Sequence, residues 1–258
     1  MCIKQVPETN EVEVDEKTGV LKRDGIDAKM NPYDLYAIEA ALELKAAQGG
    51  NVTVITMGPP QAKAIIKEAF MMGADAGYIV SDRRFAGADT LATSYTLAQG
   101  IKKIGKFDLI ICGMQTTDGD TAQVGPAIAE ILNLPHVAYV SKVAGADDRI
   151  LLVEKDMADS LERGEVSFPA LITVTKAVNQ PRLPSFKRKK ETRDWEIQTF
   201  TLDDFSDKRE DHYGLKGSPT QVERIFPPEM NTEKTIWEGA GTELATLIYR
   251  KLKELKFL

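Results

Sequence analysis

Apolar and polar positions along this chain fall into blocks whose period switches between two and roughly 3.6 residues. Met1 to Val6 is short and largely apolar and ends at Pro7, so it reads as the end of a strand. Glu11-Val12-Glu13-Val14 alternates, and Val20-Leu21-Lys22-Arg23 follows across Lys17-Thr18-Gly19, which predicts a hairpin excursion over 11–24. Asn31-Pro32 then opens a helix over Tyr33 to Ala47, with Asn as N-cap, Pro as first residue and Leu35, Ile38 and Leu42 on one face. Gly49-Gly50 stops it. Val52 to Thr56 is β-branched and reads as a buried strand.

The alternation then repeats. Helices are predicted at Gln61 to Met72, Ala88 to Ile104 and Thr121 to Leu132, and strands at Ala76 to Val80, Phe107 to Cys112 and Val137 to Val140. Strand and helix at this spacing mean βαβ units. The fold class is therefore α/β: a mostly parallel, Rossmann-like nucleotide-binding sheet with helices on both faces. Val143 to Phe168 reads as polar antiparallel ribbon, and Leu171 to Val174 closes the sheet, which sets a core of residues 1–178. Residues 179–194 are set apart as a loop and basic segment: Asn179 to Pro184, with two prolines within four residues, Pro181 and Pro184, cannot be regular helix or central strand, and the basic run Lys187 to Lys190 follows. Residues 195–258 read as an extended arm ending in a helix over Thr242 to Leu255, with Leu244, Leu247, Ile248 and Leu252 on one side. That helix suits packing on a partner, and equally packing on its own domain.

Composition narrows the function. The net charge of −6 argues against nucleic acid and anionic membranes as partners. Two cysteines, Cys2 and Cys112, and two histidines, His136 and His212, are too few for a disulfide framework or a zinc site, and they fit a reducing cytoplasm. No run of about 18 apolar residues suggests a membrane span. No Ser-His-Asp set or paired carboxylates stand out, so any chemistry is expected from a bound cofactor.

In open parallel sheets, ligands sit beyond the carboxyl ends of the strands. The residues there are Gln5, Val6 and Pro7 after the first strand, and Met57 and Gly58 after the second. After the fourth strand runs a polar loop, Gly113 to Val124, carrying Gln115, Asp118, Gly119, Asp120, Thr121, Ala122 and Gln123. A glycine-bearing loop that enters a helix presents free amides and a partial positive charge to a phosphate. The competing reading is that Asp118 and Asp120 simply cap that helix. A second helix start, Asp89-Thr90 with Thr93 one turn on, repeats the ambiguity: hydroxyls for a pyrophosphate, or an N-cap and its first turn. Two such starts in neighbouring units favour a dinucleotide, although the chain has neither a GxGxxG pattern nor a P-loop.

Cys2-Ile3-Lys4-Gln5-Val6-Pro7, Asn31-Pro32-Tyr33-Asp34, Val54-Ile55-Thr56-Met57-Gly58-Pro59, Gly87-Ala88-Asp89-Thr90, Asp118 to Pro126 and Pro181-Arg182-Leu183-Pro184 occur in that order over most of the chain. Together they resemble the electron-transfer flavoprotein β-subunit family. The resemblance implies a heterodimer with an α subunit, an arm that embraces it, and a loop at Leu183-Pro184 that docks on a flavin dehydrogenase of acyl- or enoyl-CoA or 2-hydroxy-acid type. In the family's ordinary type the β subunit holds AMP. In its electron-bifurcating type the β subunit holds FAD, takes electrons from NADH and divides them between ferredoxin and the α-subunit flavin. Gly119, where the ordinary type carries a carboxylate, resembles the bifurcating type. A non-redox adenine-nucleotide-binding protein of similar fold is the remaining alternative.

Overall fold

A computed structural model describes residues 1–8, 28–157, 159–223 and 234–258, so the hairpin expected at 11–24 lies outside the described residues. The elements in chain order are β1 (Gln5–Pro7), β2 (Ala28–Met30), α1 (Pro32–Gln48), β3 (Thr53–Met57), α2 (Lys63–Met72), β4 (Ala76–Val80), α3 (Thr90–Ile104), β5 (Leu109–Gly113), α4 (Val124–Leu132), β6 (His136–Ala146), β7 (Ile150–Asp156), β8 (Leu161–Ser167), β9 (Ala170–Val174), α5 (Phe186–Glu191), β10 (Gln198–Phe200) and α6 (Gly241–Glu254).

The N-terminal residues form the keystone of the sheet. Cys2 bridges Ile55 of β3 on one side and Cys112 of β5 on the other, both in parallel sense. The Ile3 amide donates to Ile55 O at 2.9 Å and the Cys2 amide to Ile111 O at 3.2 Å. The strand order is therefore β10, β4, β3, Met1–Ile3, β5, β9, β6, β7, β8. The chain builds outward on one side through β3 and β4, then returns to the other side at β5. That reversal places a topological switch point between the N-terminal strand and β5.

Helices cover both faces. α1 and α2 pack Ile38, Leu42, Ile65, Ile66 and Phe70 on Val54, Ile79, Ile111 and Ile172. α3 and α4 pack Leu97, Ile101, Ile128 and Ala129 on Ile55, Val80, Ile110 and Leu171. β9 is buried at all five residues, as a strand covered on both faces must be. The ribbon expected over 143–168 is the antiparallel meander of β6, β7 and β8.

Beyond shifts of two residues at the starts of α2 and α3 and the longer β6, two differences from the sequence expectation bear on the site and the arm. α4 begins at Val124, three residues later than predicted, because Asp120 and Ala122 adopt left-handed φ of 53° and 54° and break the helical path. The arm does not begin at 195. β10 pairs in parallel with β4, and Phe200, Leu202, Phe205 and Tyr213 are buried in this chain's own core. Phe200 stacks on Tyr78, and Phe85 stacks on Phe205. The residues up to about Thr220 thus belong to the fold. The described C-terminal part, 234–258, has no buried residue, and its Leu247, Ile248, Tyr249, Leu255 and Phe257 are exposed. No helix among the described residues is long and apolar enough to cross a membrane.

Candidate functional site

The switch-point crevice is bounded by the residues that leave the N-terminal strand and by the loop that follows β5. Gly113 ends β5 against the first turn of α1, and a Cβ there would run into the Asp34 carboxylate and Tyr33. Only glycine lets the two elements meet so closely. Asn31 precedes α1 but makes no side-chain cap. Its side chain is fully buried and spans to the loop instead. Nδ2 donates to Gln115 O at 2.9 Å, and Oδ1 accepts from the Thr117 amide at 3.2 Å. Asp34 accepts from the Lys4 amide at 2.7 Å. Burial pushes the Asp34 carboxyl up to about 7, against the opposing effect of Asn31 and the amides of Lys4 and Gly113.

The loop itself is cross-braced. Lys4 Nζ reaches Asp118 at 2.7 Å. Burial alone would raise the Asp118 carboxyl, but the Lys4 ammonium and the Thr116 hydroxyl hold it below its ordinary value. The pair is partly exposed, so its contribution lies in placing the loop more than in stability. The Gln115 side chain donates to Asp120 Oδ1, and the Asp120 amide donates to Thr116 O at 2.9 Å. Neither Asp118 nor Asp120 caps α4, so the capping reading of these two residues is corrected: the N-cap position is Gln123, which makes no side-chain cap.

Among the described residues, the amides of Thr121, Ala122, Gln123, Val124 and Gly125 have no protein acceptor. Left-handed Ala122 followed by right-handed Gln123 turns successive amides toward one side, the geometry of an anion-binding nest. Gly125 lets α4 sit tight on β9, because a Cβ there would lie 2.6 Å from Thr173 Cγ2. Among the described residues, only Thr116 Oγ1 lies near Gly119, at 3.4 Å from where a Cβ would stand.

The two helix starts expected to cooperate are brought together. Thr90 Oγ1, at the first residue of α3, donates to Gln123 Oε1 at 3.1 Å. Thr93 lies half-buried behind it, with its amide on Asp89 O at 2.9 Å. Asp89 is engaged within the protein. Oδ1 caps α3 by accepting from the Ala92 amide at 3.0 Å, and Oδ2 accepts from the Thr220 amide and hydroxyl at 3.1 and 2.8 Å. Burial opposes ionisation of Asp89, and these hydrogen bonds outweigh it. Gln5 and Pro7 are half-buried beside the crevice, whereas Val6 is 1% exposed and points into the core. Met57 and Gly58 lie at the end of β3, with the Gly58 amide on Val80 O at 3.1 Å. Leu183 is 88% exposed, next to Arg182, which is hydrogen-bonded to Glu39 of α1, and Pro184 follows it.

Sequence reasoning missed three residues that build the site: Lys4, Asn31 and Asp34. The available signal was two polar side chains bracketing Pro32 at the start of an apolar helix. Cys112 is buried against Cys2, whose hydrogen bond, together with burial, pushes the Cys112 thiol up.

A mixed, largely parallel α/β sheet with helices on both faces and a topological switch point defines a protein of the doubly wound α/β class. The match to known proteins is more particular. The electron transfer flavoprotein domain matches residues 18–205. An electron transfer flavoprotein subunit beta from Clostridium acetobutylicum is 45% identical over 258 residues, covering 100% of this chain and 98% of the relative. One from Thermoanaerobacterium thermosaccharolyticum is 47% identical, covering 98% and 96%. The caffeyl-CoA reductase-Etf complex subunit CarD of Acetobacterium woodii is 45% identical, covering 98% and 97%. The chain belongs to the electron transfer flavoprotein family, on its β-subunit branch. Its role is electron transfer in association with flavin or nucleotide, and β subunits of this family pair with an α subunit.

Proposed function

We propose that this chain binds FAD in the switch-point crevice as the small subunit of a bifurcating heterodimer, which takes electrons from NADH and divides them between ferredoxin and a partner flavin dehydrogenase through the α-subunit flavin. The observation that carries the reading is the set of acceptor-free amides at Thr121 to Gly125, facing Thr90 across the Gln123 side chain, with no carboxylate at Gly119 to repel a diphosphate. Those groups would hold the pyrophosphate. Gln5, Pro7, Met57 and Gly58 would border the rest of the cofactor, Val6 and Asp89 would fix the walls from within, and Gln115, Asp118 and Asp120 would keep the loop in shape. FAD supplies the redox chemistry when bound, so no side chain is required as acid or base. The exposed apolar side of the C-terminal segment suits the α subunit, and exposed Leu183 beside Pro184 suits a pocket on the dehydrogenase. One relative is named as part of a caffeyl-CoA reductase complex, which supports an acyl- or enoyl-CoA dehydrogenase as the partner.

The test is a nucleotide count on the purified heterodimer together with the variant Gly119→Asp. Two FAD per heterodimer is expected. One FAD plus one AMP would instead identify an ordinary carrier. Gly119 takes no positive φ, and only Thr116 Oγ1 lies near it among the described residues, so the variant should fold as the wild type does. A carboxylate about 4 Å from a diphosphate costs on the order of 1–4 kcal/mol. FAD affinity should therefore fall at least about tenfold, and unchanged affinity would put the phosphate elsewhere.

A further inference from the structure

Residues 179–185 form no regular element, yet they and the start of α5 are fastened to the two helices beneath them. Asn179 Nδ2 donates to Tyr36 O at 3.0 Å, and the Ser185 amide donates to Met71 O at 3.0 Å. Arg188 Nε and Nη2 donate to Phe70 O and Ala74 O at 2.8 and 3.2 Å, closing the end of α2. These three fastenings take backbone carbonyls as acceptors. The fourth takes a side chain. Glu39 Oε2 accepts from the Arg182 amide at 3.0 Å and from Arg182 Nε at 2.7 Å, while Oε1 accepts from Arg182 Nη2 at 2.8 Å. The next residue is Leu183, the most exposed large apolar side chain of the described residues, and Phe186 beyond it is 69% exposed.

Glu39 is costly where it stands. It lies in the middle of α1, 6% exposed among Ala37, Ile38, Ala40 and Ala41, and its charge adds to burial in disfavouring ionisation of Glu43 one turn on. A buried ion pair is weak evidence of stability, because an apolar residue of similar size often serves a helix face as well or better. What the carboxylate uniquely provides is a three-bond grip on the residue before Leu183. Holding an apolar side chain outward in one conformation lowers the ordering cost that a partner would otherwise have to meet on docking.

We propose that Glu39 is the positioning residue of the docking loop, setting the presentation of Leu183 to the partner through Arg182. This rests on the reading of Leu183-Pro184 as the dehydrogenase-docking segment. The test uses the intact heterodimer and a purified acyl-CoA dehydrogenase as electron acceptor, with Glu39→Ala, Leu183→Ala and the double variant. Glu39→Ala should raise the KM for the dehydrogenase about tenfold with kcat and FAD content unchanged. Glu39→Gln, which keeps one acceptor oxygen, should fall between. Leu183→Ala should add little on the Glu39→Ala background, because both act through the same contact. A Leu183→Ala effect on KM without a Glu39→Ala effect overturns the positioning role and leaves the docking reading standing. No effect of Leu183→Ala removes the docking reading and the inference with it. Hydrogen exchange on the Glu39→Ala heterodimer gives an independent readout. Faster exchange confined to residues 180–184 supports the proposal, whereas acceleration spread along α1 would make Glu39 a residue of helix stability alone.

Discussion

Asp34 shows how much at the residue scale depends on contacts remote in sequence. Its ordinary value is 3.8, and burial takes the folded value to about 7. The folded chain therefore holds this proton more tightly than the unfolded chain does. The resulting stabilisation is fully present below pH 3.8, declines as pH rises toward 7, and is absent above it. Wild type should thus lose stability relative to Asp34→Asn between about pH 4 and 7, with a constant difference at higher pH. Denaturant midpoints of the two proteins across that range check this, and parallel curves would show a carboxylate already ionised in the fold. The role of Asp34 was not legible in the sequence, and neither was that of Asn31. Asn before Pro reads as a helix cap, but the side chain binds Gln115 and Thr117, 84 and 86 residues away. No periodicity or turn chemistry reports a contact at such separation.

Elements with a clear period were legible: β3, β4, β5 and β9 as apolar runs, α2 and α3 as amphipathic helices, and α1 by its Asn-Pro start and apolar residues at helical spacing. The start of α4 was not, because the helical path is broken at Ala122, and alanine carries no sequence sign of a left-handed conformation. β10 was missed for a related reason. It is three residues long, and the segment after it is held by irregularly spaced aromatics, Phe205 and Tyr213, with no repeat to detect. At the start of α3 the bland reading of Asp89 holds, since both carboxylate oxygens are used within the protein, while Thr90 remains turned toward Gln123. Asp89→Ala should cost about 1–2 kcal/mol in unfolding free energy through the lost cap. It should also free Thr220, seen as faster exchange of the Thr220 amide. Asp89→Asn, which keeps the capping oxygen, should recover most of the stability. Equal losses in the two variants would mean that the charge, and not the cap, matters.

At the scale of the whole molecule, the boundary between fold and partner surface falls later than the change in sequence character at Asn179 suggests. Truncation after Asp194 removes the edge strand β10 together with the buried Phe200, Leu202, Phe205 and Tyr213. Each such side chain contributes about 1.5–3 kcal/mol on burial. Their sum is comparable with the whole stability of a domain, about 5–15 kcal/mol, so that truncation should leave an unfolded or aggregating chain. Truncation after Glu223 instead removes a segment whose described part, 234–258, has no fully buried residue. The shorter protein should keep the melting temperature of the isolated subunit, because each fastening that Thr220 and Ser218 make on Asp89 remains. It should nonetheless fail to form the heterodimer on gel filtration with the α subunit, since the apolar side chains around Leu247, Ile248 and Tyr249 are gone. A truncated chain that still pairs would locate the interface on the α/β core, and one that melts earlier would show that the C-terminal helix docks on its own domain.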